Sequence, residues 1–235
     1  MKIDDWIVIH DTRDYSSTED FSVIEKMLKT AIQQTDNPPG SGKFLLRPAS
    51  GKGKKAGVSV NGVKPIKLPF LRNLITQSER WKPERKVDPQ LGACDITYFY
   101  DDERLPFIVE WETGNISSTH RAVNRILSTI MRGNASGGVV ILPSKEMYRH
   151  LTDRIGNARE VEPYFDLWRK ADNLTDEPYY FAFVVIEQDG LSEDVPYLPG
   201  GADGNNFRVL EQRVARPSVH PGDGTTLPTL PGGIA

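Results

Sequence analysis

The chain has 235 residues, a formal charge of −3, 38% hydrophobic and 26% charged side chains, which describes a soluble globular protein of one large or two small domains and excludes a wholly disordered chain. Its one cysteine, Cys94, excludes a disulfide framework and a cysteine zinc site, and fits a reducing, cytoplasmic setting. No apolar run approaches the ~18–20 residues a membrane span needs, and the opening MKIDDWIVIHD has no signal pattern.

In chain order, Phe21, Ile24, Met27, Leu28, Ala31 and Ile32 recur at helical spacing and predict an amphipathic helix over 19–35. Asp36-Asn37-Pro38-Pro39-Gly40 ends it, and a glycine- and lysine-rich loop runs to about Gly62. A second helix is expected over 68–81, with Leu71, Leu74 and Ile75 inward. Residues 94–100 and 105–112 alternate polar and apolar around Asp101-Asp102-Glu103-Arg104 and predict a hairpin. Ser117–Arg132 reads as a helix capped by Ser117 or Ser118, with Ala122, Val123, Ile126, Leu127, Ile130 and Met131 buried. A short strand at 139–142, a helix from Lys145 to Arg154 and a last core strand at 179–187 follow. The order β-β-α-β-α-β predicts an α/β fold, a mixed central sheet flanked by helices on both faces. One domain is expected over 1–215. The stretch 216–235 holds four Pro and four Gly and is expected to be a flexible tail.

Charge is distributed unevenly. Residues 43–86 carry twelve basic side chains against two acids, Glu79 and Glu84, so a positive block sits in an otherwise negative chain. Such a block is the footprint of a polyanion-binding face, or of a solvated lysine-rich loop. The hairpin supplies the chemistry. A turn centred between Asp102 and Glu103 sets Asp95 across from Glu110, with Cβ atoms ~4.5–5.5 Å apart. Glu112 lies on the same face, roughly 6–7 Å further along, while Phe107, Val109 and Trp111 occupy the other. Three carboxylates on one face repel each other unless a divalent cation sits among them, and oxygen-only donors favour Mg²⁺ over zinc. Solvent-facing acids on a half-exposed hairpin are the plain alternative, and a one-residue slip removes the constellation. A glycosidase carboxylate pair is another, which the basic block disfavours. Joined, the two features predict a cation-assisted phosphodiester hydrolysis, with Glu112 placed as the base.

The same residues carry a family resemblance. Glu110-Trp111-Glu112-Thr113-Gly114-Asn115-Ile116-Ser117-Ser118, continuing to His120-Arg121 and Asn124, resembles the Glu-x-Glu strand and following helix of the BamHI-like type II restriction endonucleases, within the PD-(D/E)XK nuclease superfamily. Tyr148–Arg154, Glu162–Phe165, Asn61–Lys67 and Gly200–Gly204 are similar to further family strings, so the resemblance spans roughly 60–210. It implies that Asp95 and Glu110 bind Mg²⁺, one or two ions, with the Trp111 carbonyl as a further ligand. Glu112 stands where most of the superfamily has lysine, which suits a general base. An additional acid is expected on a preceding helix; Glu84 is the candidate, with Glu79 its rival.

For DNA contact the resemblance implies Asn115 and Ser117, Asp153 and Arg154 at an outer G·C pair, Arg121 with Gly201, Asp203 and Gly204 in the minor groove, and Lys67. The plainer roles are helix caps for Asn115 and Ser117, an ion pair for Asp153–Arg154 and a turn at Gly200–Gly204. His120 is read as a packing or hydrogen-bonding residue rather than a catalytic base. The implied enzyme is a homodimer that cuts double-stranded DNA at a short palindrome, GGATCC-like or degenerate RGATCY, leaving 5′-phosphates and 5′ overhangs, with a cognate DNA methyltransferase as its companion. A nuclease of relaxed specificity and a non-catalytic DNA-binding module are the competing readings.

Overall fold

The computed structural model of the chain describes residues 1–51, 59–100, 104–152 and 155–199, all within a unit spanning Met1–Gly204. The domain limit expected at 215, the tail 216–235 and the hairpin turn at 101–103 lie outside the described residues. The architecture is the mixed sheet expected from the element order. Six strands run in the order β1 (Lys2–Asp11), β7 (Tyr180–Glu187), β6 (Gly137–Pro143), β5 (Phe107–Trp111), β4 (Cys94–Tyr98), β3 (Trp81–Arg85). The β5–β6–β7 centre is parallel and the flanking pairs are antiparallel. A second small sheet pairs β2 (Leu45–Leu46) with β8 (Gly190–Leu191).

Helices cover both faces. On one, α1 (Glu19–Gln33) and α2 (Lys64–Gln77) bring Phe21 against Phe107 and Tyr180, and Phe70 against Trp111. On the other, α3 (Ile116–Met131) sets Val123, Ile126 and Ile130 on Ile108 and Val140, and α6 (Phe165–Lys170) sets Phe165 and Trp168 beside Phe183. Caps agree with the local chemistry. Thr18 accepts from Phe21 N–H at the start of α1, with Glu19 and Asp20 in its first turn. Asn115, not Ser117 or Ser118, caps α3; its Oδ1 accepts from Ser118 N–H at 3.2 Å.

Several expectations need correction. The strand opening the chain was hidden because its alternation is broken by two register shifts, between Ile3/Asp5 and Val8/His10. Strand β3 was hidden by Pro83, which an edge strand tolerates. Helix α2 starts four residues before the expected 68, with Pro65 in its first turn, where a missing N–H is harmless. The helix from Lys145 is a single turn, α4 (Lys145–Tyr148), because the following residues pair with Asn61 instead. Two short helices, α5 (Ala158–Val161) and α6, precede β7. Strand β5 is buried along its whole length, so the hairpin is not half-exposed: α3 closes the face that carries Glu110.

Candidate active site

Strand register brings the two hairpin acids together. Ile96↔Val109, Thr97↔Ile108 and Tyr98↔Phe107 are the rungs expected from the sequence. The ladder stops at Ile96, however, and side-chain bonds replace the next rung. Trp111 N–H donates to Asp95 Oδ2 at 2.8 Å, and Asp95 N–H points at Glu110 Oε2 at 3.4 Å. Both acids therefore sit at the same end of the sheet, Glu110 on the central strand with 4% of its surface exposed and Asp95 on the more open side.

Two cations hold this pair. From α2, Lys67 Nζ lies 2.5 Å from Asp95 Oδ1. From α3, Arg125 Nη1 donates to Glu110 Oε1 at 2.6 Å and to the Ala93 carbonyl at 3.1 Å. One guanidinium thus ties the lead-in of β4 to the end of β5. Burial, then the Asp95 charge, pushes Glu110 far above the usual carboxylate range, to about 8, with Arg125 and Lys67 pulling the other way. Arg125 was missed by sequence reasoning because an arginine on an amphipathic helix reads as solvated surface. Its place one turn beyond Arg121, on the flank that must meet Glu110 once α3 covers β5, is the only signal.

Glu112 continues the strand direction: its N–H donates to Ile141 O at 2.8 Å. Its carboxylate is buried and turns back, so that Oε1 accepts from Gly114 N–H at 2.5 Å. Burial raises it above the ordinary range, the Gly114 bond opposes this, and Asp95 adds to the rise. A buried carboxylate raised in this way suits proton acceptance near neutral pH. Gly114 O in turn accepts from Gly156 N–H at 2.9 Å, and a Cβ on Gly156 would fall 2.0 Å from Thr119 Oγ1. Only glycine lets the 155–157 segment lie against the Glu112 turn.

The other predicted residues are distributed as follows. Asn115 and Ser117 are exposed at the start of α3, and Arg121 is exposed there with Nη2 bonded to Ser118 Oγ at 2.8 Å. His120 packs edge-on to Tyr164 at 4.5 Å and beside Trp168, the packing role expected of it. Glu84 is not on a helix; it lies exposed on strand β3 with φ 50. Glu79 is exposed in the turn after α2. Among the described residues no three His, Cys, Asp or Glu side chains stand close enough to hold an ion as they are, so the set Asp95–Glu110–Glu84 is not assembled. Asp153, Arg154, Gly201, Asp203 and Gly204 lie outside the described residues. The basic block does not act as one unit: Lys67 is paired with Asp95 and Arg47 with Glu193, while Lys82, Arg85 and Lys86 are exposed on and beside β3. No helix among the described residues is long and apolar enough to cross a membrane.

The chemistry of the pair fits a hard divalent cation. Every donor is oxygen, and each carboxylate already faces one protein cation, Lys67 at Asp95 and Arg125 at Glu110.

Comparison with known proteins shows the family. The family model described as restriction endonuclease BamHI matches residues 1–205. The type II restriction enzyme OkrAI of Oceanobacter kriegii is 40% identical over 185 residues, covering 77% of this chain and 88% of that protein. The type II restriction enzyme BamHI of Bacillus amyloliquefaciens is 31% identical over 160 residues, covering 65% and 71%. The fold is similar to that of restriction endonuclease BglII, in a crystal structure complexed with a DNA 16-mer, with a TM-score of 0.54 at 13% identity over 80% of this chain and 79% of that one.

Two stability measurements test the electrostatics. Because folding raises the Glu110 pKa, the native chain keeps a proton that the unfolded chain has already lost between the ordinary carboxylate range and about pH 8. Stability must therefore fall as pH rises through that window. In chelator-treated protein, Glu110→Gln should gain on the wild type by ~1 kcal/mol or more on going from pH 6 to pH 8, about 2–4 °C in melting temperature; parallel pH dependences would contradict the burial argument. In a double-mutant cycle at pH 8, Arg125→Met should destabilise the wild type but have little effect in the Glu110→Gln background, a coupling of about 1 kcal/mol or more. Additive effects would separate Arg125 from Glu110.

Proposed function

We infer the reaction from one premise: the chain belongs to the BamHI family of restriction endonucleases and is a type II site-specific deoxyribonuclease. DNA is its substrate, and the family implies a divalent metal in general. The metal we assign is Mg²⁺, held by Asp95 and Glu110 with the Trp111 carbonyl as a further donor. What supports this is the pair itself, two oxygen donors placed together at the strand ends and held by Lys67 and Arg125.

When bound, the ion supplies charge stabilisation to the phosphodiester oxygens as the bond is broken. The remaining work falls to side chains of the chain. Arg125 holds the Glu110 carboxylate in place, and Trp111 N–H fixes that of Asp95. Lys67, half-open beside Asp95, brings positive charge to the substrate side of the pair. Glu112 accepts the proton of the attacking water. Supporting this role, its carboxylate is fixed by Gly114 N–H and raised above the ordinary range by burial. Water adds to phosphorus as its proton passes to Glu112, the bond to the 3′ oxygen breaks, and that oxygen takes a proton from solvent, so the products carry a 5′-phosphate and a 3′-hydroxyl.

Base reading is assigned to Asn115 and Ser117 at the exposed start of α3, and to Asp153 and Arg154 two to three residues before Gly156. Arg121, Gly201, Asp203 and Gly204 are assigned to the minor groove. The proposed target is a short palindrome with a GATC core, GGATCC-like or RGATCY, cut with 5′ overhangs. A two-fold palindrome with a cut in each strand is most simply served by a homodimer, and a cognate DNA methyltransferase would protect the host. The metal role of Glu84, exposed on β3, is carried only by the family resemblance.

Two measurements test this reading. Glu112→Gln should lower single-turnover cleavage about 10²–10⁴-fold while leaving DNA affinity within about threefold; retained cleavage would remove Glu112 as the base. Arg154→Ala should reduce discrimination at the outer base pair by ~1–3 kcal/mol, read from cleavage of a randomised-site library. An unchanged site preference would contradict the readout assignment.

A further inference from the structure

Asn61 makes five directed bonds with described residues, and none of them goes to the acids. It is fully buried, with 0% of its surface exposed. Its backbone N–H donates to His150 O at 2.9 Å, and its carbonyl accepts from Thr152 N–H at 2.6 Å. Its side-chain Nδ2 donates to Arg47 O and to His150 O, each at 2.8 Å, and its Oδ1 accepts from Leu198 N–H at 3.1 Å. The next residue extends the set, with Gly62 N–H donating to Leu198 O at 2.8 Å. An isolated bridge, Asn61↔Leu151, sits at the centre.

An asparagine side chain has one acceptor and two donor hydrogens, and a backbone unit has one of each. At Asn61 every one of these groups is engaged, and the partners come from three separate stretches of chain: the 47–50 loop, the 150–152 segment and the 195–198 segment. Supporting contacts knit the same stretches together. Tyr197 O–H donates to Pro48 O at 2.9 Å, and Ala49 N–H donates to His150 Nδ1 at 3.2 Å. Beside the buried Leu46, Val63, Leu151 and Val195, these directed bonds fix the relative placement of the three stretches, and such bonds tolerate displacement poorly.

The positions of these stretches in the sequence give the arrangement its meaning. Thr152 is the residue immediately before Asp153–Arg154. Leu198 is two residues before Gly200, where the minor-groove segment begins. Asn61 itself lies three residues before α2, which carries Lys67 to Asp95. We propose that Asn61 is a positioning residue for site selection, fixing the chain that enters both base-reading segments against the helix that supplies Lys67. The inference rests on the assignment of those two segments to DNA contact made above.

The test uses the whole chain and a plasmid library carrying a randomised hexamer, with sequencing of the cut ends. Asn61→Ala, and Asn61→Ser as the milder variant should the alanine not fold, leave no side chain able to reach Arg47, His150 and Leu198 at once. In either variant, cleavage at sites differing by one base pair from the wild-type site should rise at least tenfold relative to that site. Ca²⁺ affinity, measured by titration calorimetry without DNA or turnover, should stay within about twofold of the wild type, because Asp95 and Glu110 do not touch Asn61. A folded variant with wild-type site preference overturns the proposal, as does one whose Ca²⁺ affinity falls in step with its selectivity, which is the signature of a general structural defect. Arg154→Ala run in the same library separates this proposal from its premise. If Arg154→Ala relaxes the preference and the Asn61 variants do not, the positioning role alone fails; if Arg154→Ala changes nothing, the assignment of the 153–154 pair to base contact fails.

Discussion

A carboxylate sealed into the end of the central strand governs how this molecule is assembled. Glu110 stands between β4 and β6 under α3, where an ionised acid without a partner is among the most destabilising groups a core can hold. Arg125 answers that charge and at the same time fixes the Ala93 carbonyl, so the guanidinium sets the spacing between the last turn of the loop before β4 and the end of β5. Asp95, one strand outward, completes the arrangement with Lys67 from the opposite helical layer. A sheet covered on both faces thus delivers one cation from each layer to one pair of acids.

Recognition and chemistry are built from different kinds of support. The acids are positioned by strand register and by charge, which are stiff and short-ranged. The described residues next to the segments proposed for base reading are tied through bonds gathered on Asn61 and through the Gly156–Gly114 contact. That second contact joins the 155–157 segment to the Glu112 turn, and the absence of a Cβ at Gly156 keeps it closed.

Much of this was legible in the sequence, and the reasons are physical. Amphipathic α1 and α3 announce themselves through 3.6-residue stripes, and the hairpin register follows from where its turn residues fall. The strand that opens the chain was not legible, because two bulges scramble a two-residue period, nor was β3, because Pro83 argues against a strand unless it lies at an edge. The acids were legible as a constellation but not as a buried one. Alternation in 105–112 looks the same whether water or α3 lies over the polar face, and only the tertiary arrangement decides. For that reason Arg125 was invisible and Glu84 was misplaced: the first gains its meaning from what α3 covers, the second from the edge strand that carries it. Asn61 stood within a recognised string, yet nothing local distinguishes a buried asparagine with all its groups engaged from one in a turn.

The most direct measurement is anomalous diffraction from crystals of the chain grown with Mn²⁺ and a duplex oligonucleotide carrying its own cleavage site. A manganese peak coordinated directly by Asp95 and Glu110 carboxylate oxygens, with the Glu112 carboxylate facing a water beside the scissile phosphate, is the predicted result. A peak bound elsewhere, or none between those two acids at saturating Mn²⁺, would contradict the assignment of the Asp95–Glu110 pair as the catalytic centre.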